Sequence, residues 1–141
     1  MKKVLVIDAQ GGGLGRQIVA AIKESADGVY LTAVGTNSTA TAAMLKAGAD
    51  AVATGENSVI VCSRDADYIV GPIGIVIADS MLGEITPGIA MAVGQSKAKK
   101  LLIPMNQCNN LIVGYEKTPM SKMIRDVIHI ISQDSECQNK Y

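Results

Sequence analysis

The hydrophobic positions of the chain form short apolar runs that are bounded by glycine, proline or charged residues. Runs of this kind are typical of strands that are buried on both faces of a parallel sheet. They predict strands at residues 4–7, 29–34, 50–53, 68–70, 101–103 and 111–113. Between the runs, apolar residues recur at helical spacing, which predicts amphipathic helices that cover the sheet.

The predicted helices span residues 14–23, 38–48 and 75–96, the last interrupted near Gly83 and Pro87. Residues 57–63 are ambiguous between helix and strand. The clearest helix follows Pro119, where one face carries the apolar stripe Met120, Met123, Ile124, Val127, Ile128 and Ile131. We therefore predict an α/β fold, a three-layer Rossmann-like doubly wound, mostly parallel sheet of about five to six strands with helices on both faces. We expect one domain over residues 1–132 and a polar tail over residues 133–141.

Composition narrows the classes of function. Hydrophobic residues make up 48% of the chain, and thirteen acids balance thirteen bases, so the net charge is zero. Such a balance lacks the basic surface of a dedicated nucleic-acid binder. The cysteines show no metal-ligand spacing, and their odd number, 3, argues against a disulfide framework, so we expect no metal site. The first apolar run is too short for a signal peptide or membrane span, which predicts a cytoplasmic protein without membrane contact.

The glycine-rich turn after the first predicted strand carries the strongest functional signal. Glycine occupies four of the five positions from Gly11 to Gly15. Because glycine has no Cβ, a phosphate can approach the free amides at the start of the next helix, whose dipole favours its negative charge. A tight turn with close packing of helix on strand would by itself explain one or two of these glycines. We therefore predict that the turn binds a small-molecule ligand that contains phosphate.

The turn does not match the common ATP-binding loop, because Arg16 and Gln17 stand where lysine and serine or threonine are needed. The segment from residue 8 to 16 resembles the opening T-G-x-x-x-G-[IL]-G-R of short-chain dehydrogenases. The resemblance covers some twenty residues, and Gly13, Gly15 and Arg16 match it best. It implies a dinucleotide cofactor, with NADP(H) as the first choice. The Tyr-x-x-x-Lys pair of that family does not occur in this sequence.

Taken as a whole, the sequence resembles a family of short bacterial proteins, mainly clostridial, whose function is unknown. The motifs of that family are D-x-Q-G-G-G-[LI]-G, G-T-N, A-G-A, T-G-E-N, G-P-I-G and N-x-C-N. In this chain they fall at residues 8–15, 35–37, 47–49, 54–57, 71–74 and 106–109. The resemblance spans nearly the whole chain and implies no particular activity.

The loops that leave the carboxyl ends of the predicted strands are rich in polar residues and glycine, and ligands of doubly wound sheets bind at this edge. After the second strand, Thr36, Asn37 and Ser38 could donate to a 2′-phosphate, or they could only cap the following helix. No acid follows that strand before Asp50 to accept from a ribose 2′-hydroxyl. The predicted cofactor-binding residues are Gln10, Gly11, Gly12, Gly13, Leu14, Gly15, Arg16, Gly35, Thr36, Asn37, Ser38, Gly71, Pro72 and Gly74.

Candidate catalytic residues are few. Asp8, Glu56 and Cys108 follow predicted strands, and Glu84 lies in another glycine-containing turn. The only histidine, His129, falls on the polar side of the last helix, which excludes a histidine-based triad. For Asp8 the alternatives are an acceptor for loop amides or a ligand for a hydroxyl, a cation or a metal held by the phosphates. For Glu56 and Glu84 the alternatives are helix capping and catalysis.

Two main functions fit these patterns. The first is a nucleotide-binding module that acts as a sensor or partner subunit. The second is a small reductase or transferase that acts on a phosphorylated substrate, with Asp8, Asn37, Glu56 and Cys108 near the reacting atoms. A degenerate P-loop ATPase fits less well. We also expect a homo-oligomer, most simply a homodimer, because small α/β domains often complete a site from a neighbouring copy.

Overall fold

Five parallel strands form the centre of the fold in a computed structural model that describes residues 1–105 and 109–133. The strands are β1 (Lys2–Asp8), β2 (Val29–Gly35), β3 (Ala51–Thr54), β4 (Tyr68–Pro72) and β5 (Lys99–Ile103). They lie side by side in the order β3-β2-β1-β4-β5. The central strand β1 pairs with β2 over its full length, so that the ends of the two strands, Asp8 and Gly35, lie opposite each other.

The helices between the strands begin at side-chain caps where the sequence supplies them. They are α1 (Gly13–Ser25), α2 (Ser38–Lys46), α3 (Glu56–Cys62), α4 (Pro87–Gln95) and α5 (Met120–Gln133), with a short 3₁₀ turn at Ile73–Val76. The side chain of Asn37 caps α2, and the side chain of Thr86 caps α4 just before a proline in its first turn. In contrast, α1 begins after Gly12, which has a left-handed backbone and no capping side chain. The amides in the first turn of α1 therefore depend on acceptors other than the N-cap side chain.

The core lies in two layers, one on each face of the sheet. Alternate residues of β1 point to opposite faces, with Val4 and Val6 in one cluster and Leu5 and Ile7 in the other. The first cluster takes in buried residues of α1, α2 and α5, and the second takes in buried residues of α3 and α4. The prediction of a three-layer, doubly wound α/β fold is therefore confirmed, with five strands.

Two predicted elements differ in the structure, and one ambiguous element is resolved. Residues 111–113 form no strand, and Leu111 and Val113 are 83% and 98% exposed, because no neighbouring strand in the described residues pairs with them. The ambiguous residues 57–63 lie in α3, whose buried residue is Val59. Of the helix predicted over residues 75–96, only α4 is an α-helix, because residues 77–86 form a series of turns with left-handed backbone at Asp79, Met81 and Leu82.

Helix α5 covers the first face of the sheet, as its apolar stripe predicts, with Ile124, Val127 and Ile131 buried. It reaches Gln133, so most of the predicted tail lies outside the described residues. Within residues 1–105 and 109–133, none of the helices has the length and apolarity needed to cross a membrane.

Candidate functional site

The candidate site lies where the sheet changes winding direction. From β1 the chain moves to β2 and β3 on one side, and from β4 it moves to β5 on the other. Ligands of doubly wound sheets bind outside the carboxyl ends of the strands at this switch point. Here the structure places a pocket of about 190 Å³, formed by residues 8–14 together with Pro72, Met81 and Met105. The glycine-rich turn predicted from the sequence thus forms most of the pocket wall.

The four glycines of the turn divide into two pairs. Gly12 and Gly15 are needed for packing. A Cβ on Gly12 would lie 2.8 Å from the Ala40 Cα of α2, and one on Gly15 would lie 2.7 Å from both the Asp8 Cβ and the Met44 Sδ. Gly12 also has a φ of 72°, which side chains rarely adopt.

Gly11 and Gly13 have neither reason to be glycine. A Cβ at either position would meet nothing within 4 Å, and neither residue has a positive φ. Both residues are exposed. Packing of the described residues therefore explains Gly12 and Gly15 but not the two glycines that face the open pocket.

Several backbone amides of the turn point to no acceptor. Asp8 accepts from the amides of Ala9 at 2.8 Å and Gly15 at 2.6 Å, and the Gly12 amide donates to the Ala9 carbonyl. Within the described part of the chain, the amides of Gly11, Gly13 and Leu14 have no acceptor. The latter two belong to the first turn of α1, where the helix dipole is positive. Gly11, Gly13 and Leu14 all line the pocket, so their amides are hydrogen-bond donors without an acceptor in its wall.

Asp8 is a structural acceptor behind this surface. Its side chain is 5% exposed, and no buried polar side-chain atom in the described part of the chain lacks a partner. Burial raises the pKa of Asp8 above its ordinary value, against hydrogen bonds from Gly15 and Ala9 that lower it, and the nearby charge of Glu84 raises the pKa further. The contacts fit the first alternative given above for Asp8, that of an acceptor for loop amides.

Glu84 is the residue that sequence reasoning undervalued. One of its oxygens, Oε1, accepts from the Gln10 amide at 3.0 Å, the Thr36 hydroxyl at 2.7 Å and the Asn37 side-chain amide at 2.7 Å. Burial opposes its ionisation, but these hydrogen bonds outweigh burial and hold the pKa of Glu84 below its ordinary value. A carboxylate thus lies between the turns that follow β1 and β2. In the sequence, only the position of Glu84 beside Gly83 pointed to a role at the site, because Glu84 and its partner Gln10 are 74 residues apart.

The predicted ribose-side residues are already engaged. Thr36 and Asn37 donate to Glu84. The side-chain oxygen of Asn37, Oδ1, caps α2 by accepting from the Ala40 amide at 2.9 Å. Ser38 is exposed at the first position of α2. These residues were predicted to donate to a 2′-phosphate. In the structure, the carboxylate of Glu84 already accepts the hydrogen bonds of Thr36 and Asn37.

The remaining predicted binding residues have other roles or stand at the rim. A Cβ on Gly35 would lie 2.5 Å from the Thr41 amide nitrogen, and one on Gly71 would lie 2.5 Å from the Ile7 carbonyl oxygen, so both glycines are needed for packing. The carbonyl of Gly74 accepts from the Ser80 hydroxyl. Arg16, which directly follows the buried Gly15, is exposed. Pro72 lines the pocket, and its contact with a cofactor stays a prediction.

Glu56 lies in a capping contact away from the pocket lining. Its carboxylate accepts from the Thr86 hydroxyl at 2.5 Å and packs against Gly88, at the start of α4. Cys108 lies outside the described residues, and His129 is exposed on α5. Among the described residues, no group of three or more histidine, cysteine or acidic side chains is placed to hold a metal. Of the two catalytic candidates that the structure describes, Asp8 lines the pocket and Glu56 does not.

A larger cavity of about 400 Å³ lies between β5 and α5. Its lining is mainly apolar, with Lys100, Lys122 and Asp126 as its charged side chains. It shares no lining residue with the pocket at the glycine-rich turn. It is therefore a separate feature at the edge of the sheet.

Comparison with known proteins places the chain in a family without assigning an activity. No curated protein sequence matches it. One solved structure that resembles it is a dodecameric FMN-dependent Ubix-like decarboxylase from Escherichia coli O157:H7. The two share 18% sequence identity with a TM-score of 0.46, over 96% of this chain and 76% of that one. The family described as a domain of unknown function, DUF3842, matches residues 3–136, and the chain belongs to this family.

Proposed function

We propose that the chain binds a nucleotide or other phosphate-bearing ligand at the glycine-rich turn and acts as a sensor or partner module. The observation that carries this proposal is the pair of glycines, Gly11 and Gly13, that face the pocket with no steric reason to lack a side chain. Glycine at such positions lets a ligand approach the backbone closely. The open amides of Gly11, Gly13 and Leu14 supply the donors that a phosphate needs.

The charges around the pocket decide where a phosphate would sit. Asp8 accepts from the amides of Ala9 and Gly15, and Glu84 accepts from the amide of Gln10. The amides of Gly11, Gly13 and Leu14 have no acceptor among the described residues, and Arg16 is exposed. A phosphate at the first turn of α1 would gain the helix dipole, worth typically about 0.3–1 kcal/mol for an exposed charge, and charge-assisted hydrogen bonds besides. The binding mode we propose therefore places the phosphate on the amides of Gly11, Gly13 and Leu14.

NADP(H), the first choice from the sequence, is not favoured by these contacts. A 2′-phosphate beside Thr36 would face the carboxylate of Glu84, and like charges at short range repel. The proposed contacts of the glycine-rich turn are with phosphate and not with the ribose, so the proposal covers nucleotides in general.

A catalytic role would depend on Asp8, whose raised pKa and place in the pocket are typical of functional carboxylates. Both of its oxygens, however, accept from backbone amides. A purified protein that converts a bound nucleotide, with the conversion lost in Asp8→Asn, would establish this alternative.

Substitution of Gly13 tests the binding proposal with a matched control. Gly13→Asp and Gly13→Asn add side chains of nearly equal size, and neither Cβ meets an atom within 4 Å. An acid in the first turn of a helix is stabilising by about 0.3–1 kcal/mol, so Gly13→Asp should fold at least as well as Gly13→Asn. It places a negative charge at the proposed phosphate position, where repulsion at an effective dielectric constant near 20 is on the order of a few kcal/mol.

Isothermal titration with ADP, NAD⁺, FMN and coenzyme A gives the readout. We expect at least one of the four to bind the wild-type protein and to bind Gly13→Asp at least tenfold more weakly than Gly13→Asn. If none of the four binds, or if both variants bind as the wild type does, the glycine-rich turn is not a phosphate site.

We propose further that the protein forms a homo-oligomer. Large apolar side chains that are exposed in the single chain support this proposal, among them Leu82 at 97% and Val113 at 98% exposure. Sedimentation velocity at micromolar concentration should give a mass of two or more chains. A single species at the mass of one chain would contradict it.

A further inference from the structure

We infer that Glu84 makes the proposed site select a ribonucleotide with a free 2′-hydroxyl over one that carries a 2′-phosphate. This inference rests on the proposed function, because it needs a nucleotide whose phosphates lie on the glycine-rich turn. The site lacks an acid in the residues that directly follow β2, where a dinucleotide fold usually supplies one. Glu84 brings a carboxylate to that place from a distant part of the chain.

The position of Glu84 follows from its three donors. Gln10 follows β1 directly, and Thr36 and Asn37 follow β2 directly. The two strands end side by side, since Asp8 pairs with Gly35 and the Thr36 amide donates to the Asp8 carbonyl. The carboxylate of Glu84 therefore lies in the gap between the two turns. From there a ligand that runs from the first turn towards the second passes close to it.

One oxygen of Glu84 remains open to a ligand. Oε1 takes all three hydrogen bonds, and Oε2 has no hydrogen-bond partner among the described residues. The side chain is only partly buried. Because the hydrogen bonds favour the charged form, Glu84 presents an ionised acceptor at neutral pH. An ionised carboxylate can accept from ribose hydroxyls and repels a phosphate.

The segment before α4 holds Glu84 in this place. Asp79 donates its amide to the Ile85 carbonyl at 2.7 Å, and Ile85 is fully buried in the core. Between them, Met81 and Leu82 adopt left-handed backbone that residues with side chains usually avoid. The Met81 side chain lines the pocket and Leu82 is 97% exposed, so this backbone is not adopted to bury Leu82. The turn instead directs Glu84 back towards Gln10 and Asn37.

NAD⁺ and NADP⁺ are the probes for this inference, because they differ only in the 2′-phosphate. Glu84→Gln keeps an oxygen acceptor for the three donors and removes the charge. Glu24→Gln removes an equal charge from an exposed position on α1 and serves as the control. Circular dichroism checks that both variants remain folded.

Titration of the wild-type protein should show NAD⁺ binding at least tenfold more tightly than NADP⁺. In Glu84→Gln the ratio of the two dissociation constants should fall at least fivefold, and in Glu24→Gln it should not change. If NADP⁺ binds the wild type as tightly as NAD⁺ and both are lost in Gly13→Asp, the glycine-rich turn is a nucleotide site but Glu84 does not select the ribose. If FMN binds and neither ADP nor either dinucleotide does, the site does not recognise an adenosine ribose and the selection is likewise overturned. If no probe binds, the proposed function fails and the inference fails with it.

Discussion

Alanine substitutions in the glycine-rich turn should separate the glycines that hold the fold from those that face the pocket. At Gly12 a new Cβ would lie 2.8 Å from the backbone Cα of Ala40, which cannot move without shifting α2. The φ of 72° adds a conformational penalty of about 1–2 kcal/mol. Overpacking of this kind adds about 1–3 kcal/mol, so Gly12→Ala should lower the free energy of unfolding by about 2–5 kcal/mol.

At Gly13 the same substitution should have the opposite sign. The residue is helical and a Cβ there meets nothing within 4 Å. Replacing an unstrained helical glycine by alanine stabilises a protein by about 0.4–1 kcal/mol. The two variants should therefore differ by roughly 2.5–6 kcal/mol, which is about 1–3 M in the urea midpoint for an m-value near 2 kcal/mol/M.

Urea unfolding followed by circular dichroism measures both variants without an aromatic probe. Equal midpoints for Gly12→Ala and Gly13→Ala would refute the division of the glycines into two pairs. A loss of more than about 1 kcal/mol in Gly13→Ala would show that Gly13 has a structural role, because a residue without steric neighbours should not destabilise the fold.

Four further predictions concern the side chains of Asp8, of Thr86 and Glu56 at the start of α4, and of Asp50. Asp8→Ala should lower the free energy of unfolding by about 2–4 kcal/mol in urea titrations, because the buried amides of Ala9 and Gly15 lose their acceptor. Because the pKa of Asp8 is raised in the folded state, the folded protein binds a proton at a higher pH than the unfolded chain does. The stability of the wild type relative to Asp8→Asn should therefore rise as the pH falls through that raised pKa towards 3.8. A stability difference that is constant with pH would contradict this. Thr86→Ala should lower the free energy of unfolding by about 1 kcal/mol, because α4 loses its cap. Glu56→Gln should leave the nucleotide titrations unchanged, because Glu56 contacts Thr86 at the start of α4. Weaker nucleotide binding by Glu56→Gln would show that Glu56 belongs to the binding site. The pKa of Asp50 is lowered by hydrogen bonds from the Leu31 amide and Lys23, so its contribution to stability should be present above pH 3.8 and should disappear, relative to Asp50→Asn, as the pH falls through the lowered pKa in acid-unfolding curves.

The fold could be predicted because local patterns carried it. The apolar runs at β1, β2 and β4 are each flanked by glycine, proline or charge, and a parallel sheet with helices on both faces buries both faces of such strands. Residues 111–113 show the limit of this reasoning, since an apolar run forms a strand only where a neighbour pairs with it. Residues 77–86 show another limit, because the left-handed turns at Met81 and Leu82 have no sequence signature of their own.

The candidate site could be predicted in part. The glycine-rich turn consists of residues that are adjacent in sequence, so its position at the start of α1 could be predicted. The contact of Glu84 with Gln10, Thr36 and Asn37 depends on the strand order and could not be read from spacing. The division of the four glycines likewise depends on Ala40 and Met44, which only the packing of α2 brings to the turn.

The most direct test of the central claim is a titration of ¹⁵N-labelled protein with ADP, observed by amide chemical shifts. We predict that the largest shifts fall on the amides of Gly11, Gly13 and Leu14, which have no acceptor among the described residues. The amides of Gly28 and Gly48, which precede β2 and β3 at the opposite edge of the sheet, should serve as internal references and stay in place. Saturating shifts at the three open amides would establish the turn as a phosphate site. Unchanged positions for these amides at millimolar ADP, or shifts spread evenly over the protein, would contradict the claim.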